Sequence, residues 1–388
     1  LPFRPRPGVW ELVRAEQGNC KGRACRYFAR CHYQASRQRA HSVRCLVLNH
    51  HVLMADLALR RSGASFLPKV DAIVIDEAHD LEDTAAEHLG LRLTSLGTAT
   101  VLGRLWHGGR RRGLLARPGA HALQTEVQDT RKVARRFFGL LGAWAEESAS
   151  AGGLASLDGA FPLDDTLSPR LRDLAEGIGR LARNDEDLDA SMELAARARQ
   201  LDVMAEALED LVCAREGEVR WVEQGGGYRV AVASAPVDVG ELLPEVLWSQ
   251  HGTVVLTSAT LGTGRPPSFA FLRDRLGLAE ATEVSVGSPF DYETQVRGRV
   301  APHLPAPVRA GQEYERALAP AGLEAVRVTE GGAFVLYTGY ASRRRVAEAI
   351  PPQLEADGLE GLVPGQGQER PALLARFREG GAVLFGAA

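Results

Sequence analysis

Several features that mark common protein classes are missing from this sequence. No uninterrupted apolar run approaches the roughly 20 residues of a membrane-spanning helix, and no stretch has the pattern of a signal peptide. The formal net charge is only −3, so the chain as a whole is not basic and any surface for an anionic polymer must be local. The phosphate-binding pattern G-x-x-x-x-G-K-[ST] does not occur.

Cysteine is also scarce, with five thiols among 388 residues. Without a secretory pattern we expect a cytoplasmic, reducing compartment, where thiols are free, catalytic or metal-bound rather than paired in disulfides. The length predicts two to four domains. Because the sequence opens on Leu1 and stops just after a strand-like run at residues 382–385, we expect a fragment cut at both ends.

The most informative stretch is an apolar run at residues 72–75 that is followed by Asp76, Glu77 and His79. Such a short run predicts a buried strand of a parallel sheet. Ligands of these sheets bind at the carboxyl ends of the strands, where paired carboxylates can bind Mg²⁺ on a nucleotide and orient the attacking water. Taken alone, the same residues also fit a strand followed by a solvated acidic loop.

A second candidate site lies near the start of the chain, where Cys20, Cys25 and Cys31 are separated by four and five residues. Thiolates this close can share one metal centre, and their softness selects Zn²⁺ or an iron–sulfur cluster; reduced, buried cysteines are the alternative. Residues 1–44 also contain ten Lys or Arg but only two Glu, which predicts a local basic surface. Cys45 opens a predicted strand at residues 46–48, where it would serve as a small buried hydrophobe.

Helical periodicity dominates from about residue 94 to residue 215. Apolar residues recur every three or four positions around 127–144, 167–181 and 194–211, and Ser168 followed by Pro169 is typical of a helix N-terminus. One cluster of basic residues in this region either lines a nucleic-acid path or forms a solvated helix face: Arg131, Lys132, Arg135 and Arg136.

Strand patterns return after the helical region. Residues 219–223 and 228–232 flank three glycines and predict a hairpin, and 253–256 predict a further strand that ends in small hydroxyl residues. Such hydroxyls can bond a neighbouring carboxylate, although a simple Ser/Thr turn has the same pattern. Beyond residue 290, strands at 333–338 and 382–385 with helices near 341–350 and 371–377 predict a second α/β unit.

In order along the chain, these pieces resemble the DinG branch of the XPD-like superfamily 2 DNA helicases. The resemblance rests on the DEAH tetrad at 76–79, TSATL at 257–261, SPF at 288–290 and FVLYTGY at 334–340. The cysteine array followed by VLNHH at 47–51 resembles the iron–sulfur domain of that family, and 94–215 resembles its arch insertion. The resemblance implies an α/β fold with two RecA-like motor domains, built from parallel sheets with flanking helices.

The same resemblance implies five segments. They are a partial iron–sulfur domain at 1–45, a first motor domain at 46–93 that continues at 216–290, a mostly helical arch at 94–215, and a truncated second motor domain at 291–388.

It also implies roles for individual residues. Asp76 would coordinate Mg²⁺, Glu77 would act on the hydrolytic water, and His79 would relay the nucleotide state to the Ser258-Ala259-Thr260 motif. Three of the four ligands of a [4Fe–4S] cluster would be Cys20, Cys25 and Cys31. The residues expected to bind nucleic acid are Arg23, Arg26, Tyr27, Asn49 and His50.

The function implied is that of an ATP-dependent DNA helicase of repair or replication, which translocates 5′ to 3′ on single-stranded DNA and unwinds duplexes. Its partners would be single-stranded DNA and single-strand/duplex junctions, with no membrane, and the protein would be monomeric. The phosphate loop and the fourth cysteine are expected upstream, so the fragment alone is predicted to be inactive. A DNA-stimulated ATPase without strand separation, or a nucleic-acid-binding module, remains the alternative.

Overall fold

The computed structural model describes residues 20–387 except 62–64, 149–153, 226–228, 265, 299, 306–310, 338–349 and 365–369. The chain divides into two compact units, Leu1–Val286 and Gly287–Ala388. Both units mix helices and strands, and both contain parallel strand pairs. None of the helices in the described ranges combines the length and the apolar character that a membrane crossing needs.

The first unit contains two separate layers of sheet. Its elements in chain order are α1 (His32–Ser42), α2 (His50–Arg61), β1 (Ala72–Asp76), α3 (Leu81–Leu89), β2 (Leu91–Thr94), α4 (Ser95–Leu105), α5 (His121–Ser148), β3 (Leu154–Ser156), α6 (Ser168–Arg183), α7 (Leu188–Val212), β4 (Glu218–Gly225), β5 (Arg229–Pro236), α8 (Leu243–Val246), β6 (Thr253–Thr257) and α9 (Ala270–Arg275).

The parallel pair of β1 and β6 joins the stretch at 72–76 to the strand at 253–257. Helices α2, α3 and α8 cover one face of this pair, where Ile75 packs with Leu57 and Leu81 in a common core. The opposite face carries Val74 and Val255, which are 68% and 46% exposed. The prediction that β1 is buried is therefore wrong for one of its faces, because within the described residues helices cover only the other.

The strand predicted at 46–48 does not form. Residues 45–49 have no regular secondary structure and pair with no other described strand; Val47 is 91% exposed and Cys45 is exposed as well. A segment outside a sheet has no sheet face against which to bury its side chains. The prediction that Cys45 is a buried strand residue is wrong for the same reason.

A four-stranded antiparallel sheet, in the order β2-β5-β4-β3, packs with helices α4 to α7 in one large hydrophobic core. The predicted hairpin is confirmed as β4 and β5, although its glycine turn at 226–228 lies outside the described residues. The three helical registers are confirmed as α5, α6 and α7. Because Val222, Val230 and Val232 belong to this core, the hairpin packs with the helices rather than with β1 and β6.

The predicted N-cap of α6 is wrong in detail. Ser168 lies inside the first turn, with Leu167 at the cap position, and the Ser168 hydroxyl is buried. The Asp165 carboxylate instead accepts hydrogen bonds from the amides of Leu167 and Ser168, at 3.1 and 2.9 Å. An aspartate oxygen serves the unsatisfied N–H groups of a first turn as well as a serine hydroxyl does.

A buried arginine, Arg220 of β4, fastens the sheet to the end of α7. Its guanidinium donates to the carbonyls of Leu211 and Val212, in the last helical turn, at 2.7 and 3.2 Å. It also donates to the carbonyl of Gly159 at 2.6 Å. The last carbonyls of a helix lack intrahelical partners and carry partial negative charge, so a cation at this point satisfies both needs.

The second unit is built around the parallel sheet β7-β9-β8. Its core contains Leu354 and Phe385, both fully buried. The predicted strands at 333–338 and 382–385 and the helix near 371–377 are confirmed, whereas the helix predicted at 341–350 lies largely outside the described residues. The elements are α10 (Tyr292–Gln295), α11 (Gly311–Val328), β7 (Ala333–Tyr337), α12 (Pro351–Ala356), β8 (Glu360–Leu362), α13 (Arg370–Arg378) and β9 (Ala382–Ala387).

Candidate functional site

The carboxyl ends of β1 and β6 lie side by side at one edge of the parallel pair. Asp76 is the last residue of β1 and the register partner of Thr257, the last residue of β6. The segments that leave the two strands, beginning with Glu77 and Ser258, therefore start next to each other although 181 positions separate them. This edge is where parallel α/β sheets bind their ligands.

The backbone at Glu77 makes a sharp bend at this edge. Glu77 adopts the left-handed conformation, with φ 49° and ψ 45°, which costs a residue other than glycine about 1–2 kcal/mol. The chain then enters a 3₁₀ turn at Ala78–Asp80, and the fully buried Ala78 fixes that turn against the core. Because the bend ends the strand alternation of β1, the carboxylate of Glu77 can lie beside Ser258.

The hydroxyl of Ser258 is the centre of the polar network. Its Oγ lies 2.7 Å from His79 Nδ1 and 3.2 Å from Glu77 Oε2. It also accepts the backbone N–H of Thr260 at 3.3 Å, and the Thr260 hydroxyl lies 3.4 Å away. The exposed Ala259 contributes no polar side chain and only spaces the two hydroxyl residues.

Proton counting fixes the direction of these bonds. A serine hydroxyl has one proton, and a carboxylate can only accept, so Ser258 donates to Glu77. His79 Nδ1 must then carry a proton and donate it to Ser258 Oγ. His79 Nε2 lies 3.3 Å from Asp80 Oδ1 and His79 Nδ1 lies 3.3 Å from Glu77 Oε2, so the ring has a carboxylate neighbour on each side.

The other residues of this edge have structural partners. Asp76 Oδ1 accepts the backbone N–H of Glu77 at 3.0 Å, while the Asp76 side chain remains exposed. His50 Nε2 lies 2.8 Å from the main-chain carbonyl of Asp76. Asn49 Oδ1 accepts the N–H of Val52 at 2.9 Å and so caps α2. Of the two residues predicted to bind nucleic acid here, His50 therefore contacts the end of β1 and Asn49 caps α2.

A buried carboxylate that the sequence analysis did not single out holds the segment that leads into β1. Asp56 is completely buried in α2 and accepts the N–H groups of Phe66 and Leu67 at 2.7 and 3.0 Å, together with the Ser65 hydroxyl and the Arg60 Nε. Burial raises the pKa of Asp56, but the hydrogen bonds outweigh it and the net pKa is lowered. The only sequence signal was the acid–base pair at positions 56 and 60.

A second missed contact joins the segments that follow the two strands. Arg275 of α9 forms a partly buried ion pair with Glu82 in the first turn of α3, with Nε 2.8 Å from Oε1. The pKa of Arg275 is raised chiefly by its hydrogen bond to Glu82. The helix after Asp76–Asp80 is thus tied to the helix that follows the Ser258-Ala259-Thr260 segment.

The cysteine segment has the ligand types for a metal but does not gather them. Cys20 is exposed and accepts a hydrogen bond from Gln34 Nε2 at 3.0 Å, while Cys25 and Cys31 are half-buried. Across the described ranges, no three Cys, His, Asp or Glu side chains form a set that could hold a metal ion. The iron–sulfur cluster implied for these three thiols therefore stays a prediction.

The basic residues of the same segment are open to solvent. Arg23, Arg26 and Tyr27 are exposed, and the guanidinium of Arg26 stacks 4.7 Å from the centre of the Tyr27 ring. Helix α1, which follows, has no buried residue. The segment therefore presents charge and an aromatic face rather than a hydrophobic core.

Comparisons with known proteins agree with the motifs at this edge. A family model described as DEAD_2 matches residues 18–96, which include the cysteine segment and β1. The ATP-dependent DNA helicase YoaA of Escherichia coli K12 is 29% identical over 97% of the chain and 56% of its own length. The ATP-dependent DNA helicase DinG of Photobacterium profundum is 26% identical over 97% of the chain and 58% of its own length.

Among solved structures, S. tokodaii Xpd4 aligns with a TM-score of 0.47 at 12% identity, covering 86% of this chain and 61% of that one. The chain spans a little more than half the length of the curated relatives described above. The DEAD_2 match and the similarity to the YoaA and DinG proteins support the resemblance of this chain to DinG-type helicases.

Proposed function

We propose that the chain supplies the hydrolytic and coupling part of the nucleotide site in an ATP-dependent DNA helicase. The observation that carries this proposal is the bridge made by Ser258, whose hydroxyl contacts both Glu77 and His79 at the shared edge of β1 and β6. The relatives named as ATP-dependent DNA helicases support the reaction class.

In this proposal the adjacent carboxylates of Asp76 and Glu77 have different roles. Asp76 would hold Mg²⁺, which neutralises phosphate charge when it is bound with ATP. An exposed carboxylate with one oxygen already oriented by the Glu77 N–H suits a hard cation that keeps most of its waters. Glu77 would orient the attacking water and accept its proton, and the bend at this residue directs its carboxylate away from the path of β1.

The hydroxyl bridge would couple hydrolysis to movement on DNA. When Glu77 takes up a proton it stops being a full acceptor, so the Ser258 proton is free to turn toward another partner. Ser258 also holds the Thr260 amide, and its rearrangement would therefore shift the segment that follows β6. The Arg275–Glu82 ion pair connects that segment back to α3.

The DNA-related parts of the proposal rest on the family and on the local charge. The exposed Arg23, Arg26 and Tyr27 are suited to a phosphodiester backbone and a stacked base. We extend the proposal to 5′-to-3′ translocation on single-stranded DNA, action at single-strand/duplex junctions, a monomeric state and a role in repair or replication.

The [4Fe–4S] cluster stays a proposal that rests on the resemblance of the Cys20, Cys25 and Cys31 array to the iron–sulfur domain of DinG-type helicases. Iron and sulfide analysis of the complete gene product, prepared without oxygen, should find both elements, and Cys25→Ser should lower them. One equivalent of zinc without iron would refute the cluster and leave the nucleotide-site proposal untouched.

The nucleotide-site proposal is tested in the complete gene product with ATP, Mg²⁺ and single-stranded DNA. Glu77→Gln should lower ATP turnover at least about 100-fold, as expected for a lost catalytic base, and should leave DNA affinity unchanged. Asp83→Asn is the matched control, because this exposed carboxylate lies in the same acidic run on the first turn of α3. Equal turnover in the two variants would remove Glu77 from its catalytic role.

Unwinding is measured separately with a forked duplex. Strand separation that depends on ATP supports the helicase, whereas DNA-stimulated turnover without separation supports the alternative of a remodelling ATPase. A fork with only a 3′ single-stranded tail is the control for direction, since a 5′-to-3′ enzyme should fail to load on it.

A further inference from the structure

A groove lies in the helical part of the first unit, separate from the polar network at the ends of β1 and β6. It is bounded by α4, α5 and the adjoining ends of β4 and β5, and its volume is about 1200 Å³. Its floor is apolar and includes Leu102, Ala134, Phe138 and Val230. The volume exceeds the roughly 300–1,000 Å³ of a typical small-molecule site, which favours a larger occupant.

The charge on the walls of this groove is mostly positive. Arg131, Arg135 and Arg229 line it, with Glu146 as the single acidic residue. In the described part of the chain, no ion pair involves any of the three arginines. Arg131 donates to the Trp106 carbonyl at 3.2 Å, and its pKa is lowered by burial and then by the charge of Arg135. The groove thus concentrates cationic charge, with no ion pair to these arginines from any residue that the structure describes.

The groove follows one stripe of α5. Arg131 and Glu146 are fifteen residues apart on this helix, which corresponds to about 22 Å, or four turns. Between them, Gly139 leaves open space, since a Cβ there would meet no atom within 4 Å, and Gly142 packs close to Val230. Small residues along the stripe let another helix approach the α5 backbone closely.

We propose that this groove binds an acidic amphipathic helix of about four turns from a partner protein. The apolar face of the helix would fill the floor, as in other helix-in-groove complexes, while its carboxylates would meet the three arginines. A nucleic-acid strand fits less well, because the one aromatic residue of the lining, Phe138, is 4% exposed and offers no stacking face.

The test uses the full chain as bait for a phage-displayed library of random 16-residue peptides, followed by fluorescence anisotropy with the enriched peptides. Enriched peptides should be net negative, with large apolar residues at helical spacing. Gly139→Leu should fill the groove and weaken their binding at least about tenfold, as loss of a central contact does. Arg135→Glu should weaken it similarly by reversing the charge.

Two matched control variants distinguish a specific loss of peptide binding in the groove from a general effect of the substitution on the protein. Gly103→Leu adds the same side chain at an open position of α4 outside the groove, and Arg136→Glu reverses the neighbouring charge on α5. Both should leave peptide affinity within about twofold. Circular dichroism establishes that all four variants are folded.

Four results would overturn the proposal. The first is that no peptides are enriched, the second that the enriched peptides carry no net negative charge, and the third that Gly139→Leu leaves peptide affinity unchanged. The fourth is that peptides fail to bind while a labelled oligothymidine binds and Gly139→Leu weakens its binding. A concentration-dependent dimer that Gly139→Leu abolishes would show instead that a second copy of the chain occupies the groove.

Discussion

The buried carboxylate of Asp56 should control the stability of the segment that leads into β1. Asp56→Ala removes four hydrogen-bond partners and leaves the Phe66 and Leu67 amides without their acceptor. A hydrogen bond to a charged group contributes about 1.5–3 kcal/mol, and both amides are half-buried, so water replaces part of the loss. We therefore expect a local destabilisation of about 2–4 kcal/mol.

Hydrogen exchange followed by mass spectrometry measures this local loss of stability directly. A loss of 2–4 kcal/mol in opening free energy corresponds to exchange that is faster by about 30-fold to 900-fold in peptides spanning residues 65–76. Peptides from β7 and β9, in the second unit, should exchange at unchanged rates. Asp71→Ala is the matched control, because Asp71 is an exposed carboxylate just before β1.

The pH dependence gives an independent check. The pKa of Asp56 is lowered in the folded chain, so its stabilising contribution is present above its unfolded pKa of about 4 and is lost as the pH falls through the folded pKa. Protection of residues 65–76 should therefore decline below about pH 4, and Asp56→Asn should show a smaller decline. Exchange in Asp56→Ala that matches Asp71→Ala at neutral pH would refute the reasoning.

Three further outcomes are expected. Ser258→Ala in the complete gene product should lower duplex unwinding about tenfold and change ATP turnover by less than about threefold, because the hydroxyl that joins Glu77 to His79 is lost, at a net cost of about 1.4 kcal/mol to the coupling bridge. Arg220→Met should destabilise the first unit by about 3–5 kcal/mol in thermal unfolding, since it strands buried carbonyls. Arg92→Ala, which removes an exposed ion pair with Glu223, should cost less than about 1 kcal/mol in the same assay.

Periodicity predicted the elements whose side chains repeat. Residues close together in the sequence determine the apolar stripes of α5, α6 and α7 and the alternation in the two arms of the hairpin. The local sequence pattern therefore predicts these elements. The strand expected at 46–48 fails because a strand exists only with a partner, and pairing is a property of distant segments. The exposed face of β1 was not predicted for a related reason. An apolar residue such as Val74 is expected in the core, and only the packing of other elements shows that this face is uncovered.

The candidate site divides in the same way. The DEAH tetrad and the Ser258-Ala259-Thr260 motif are local patterns, and the structure brings Glu77, His79 and Ser258 within hydrogen-bonding distance. The roles of Asp56 and of the Arg275–Glu82 pair depend on contacts between residues that are not close together in the sequence, so a short stretch of sequence does not predict them. The metal site predicted at the cysteine array stays a prediction, because its spacing does not identify all of the ligands.

The backbone at Glu77 has a consequence for how this chain balances folding against activity. A sequence optimised for stability alone would place glycine at a position with φ 49°, because glycine adopts this conformation without steric cost. Glu77→Gly should therefore melt at the same temperature as the parent or higher, although it loses the carboxylate. The residue proposed to orient the hydrolytic water is thus also the residue whose backbone conformation glycine would adopt with less strain, so the proposed catalytic role and the stability of this bend make opposite demands on position 77.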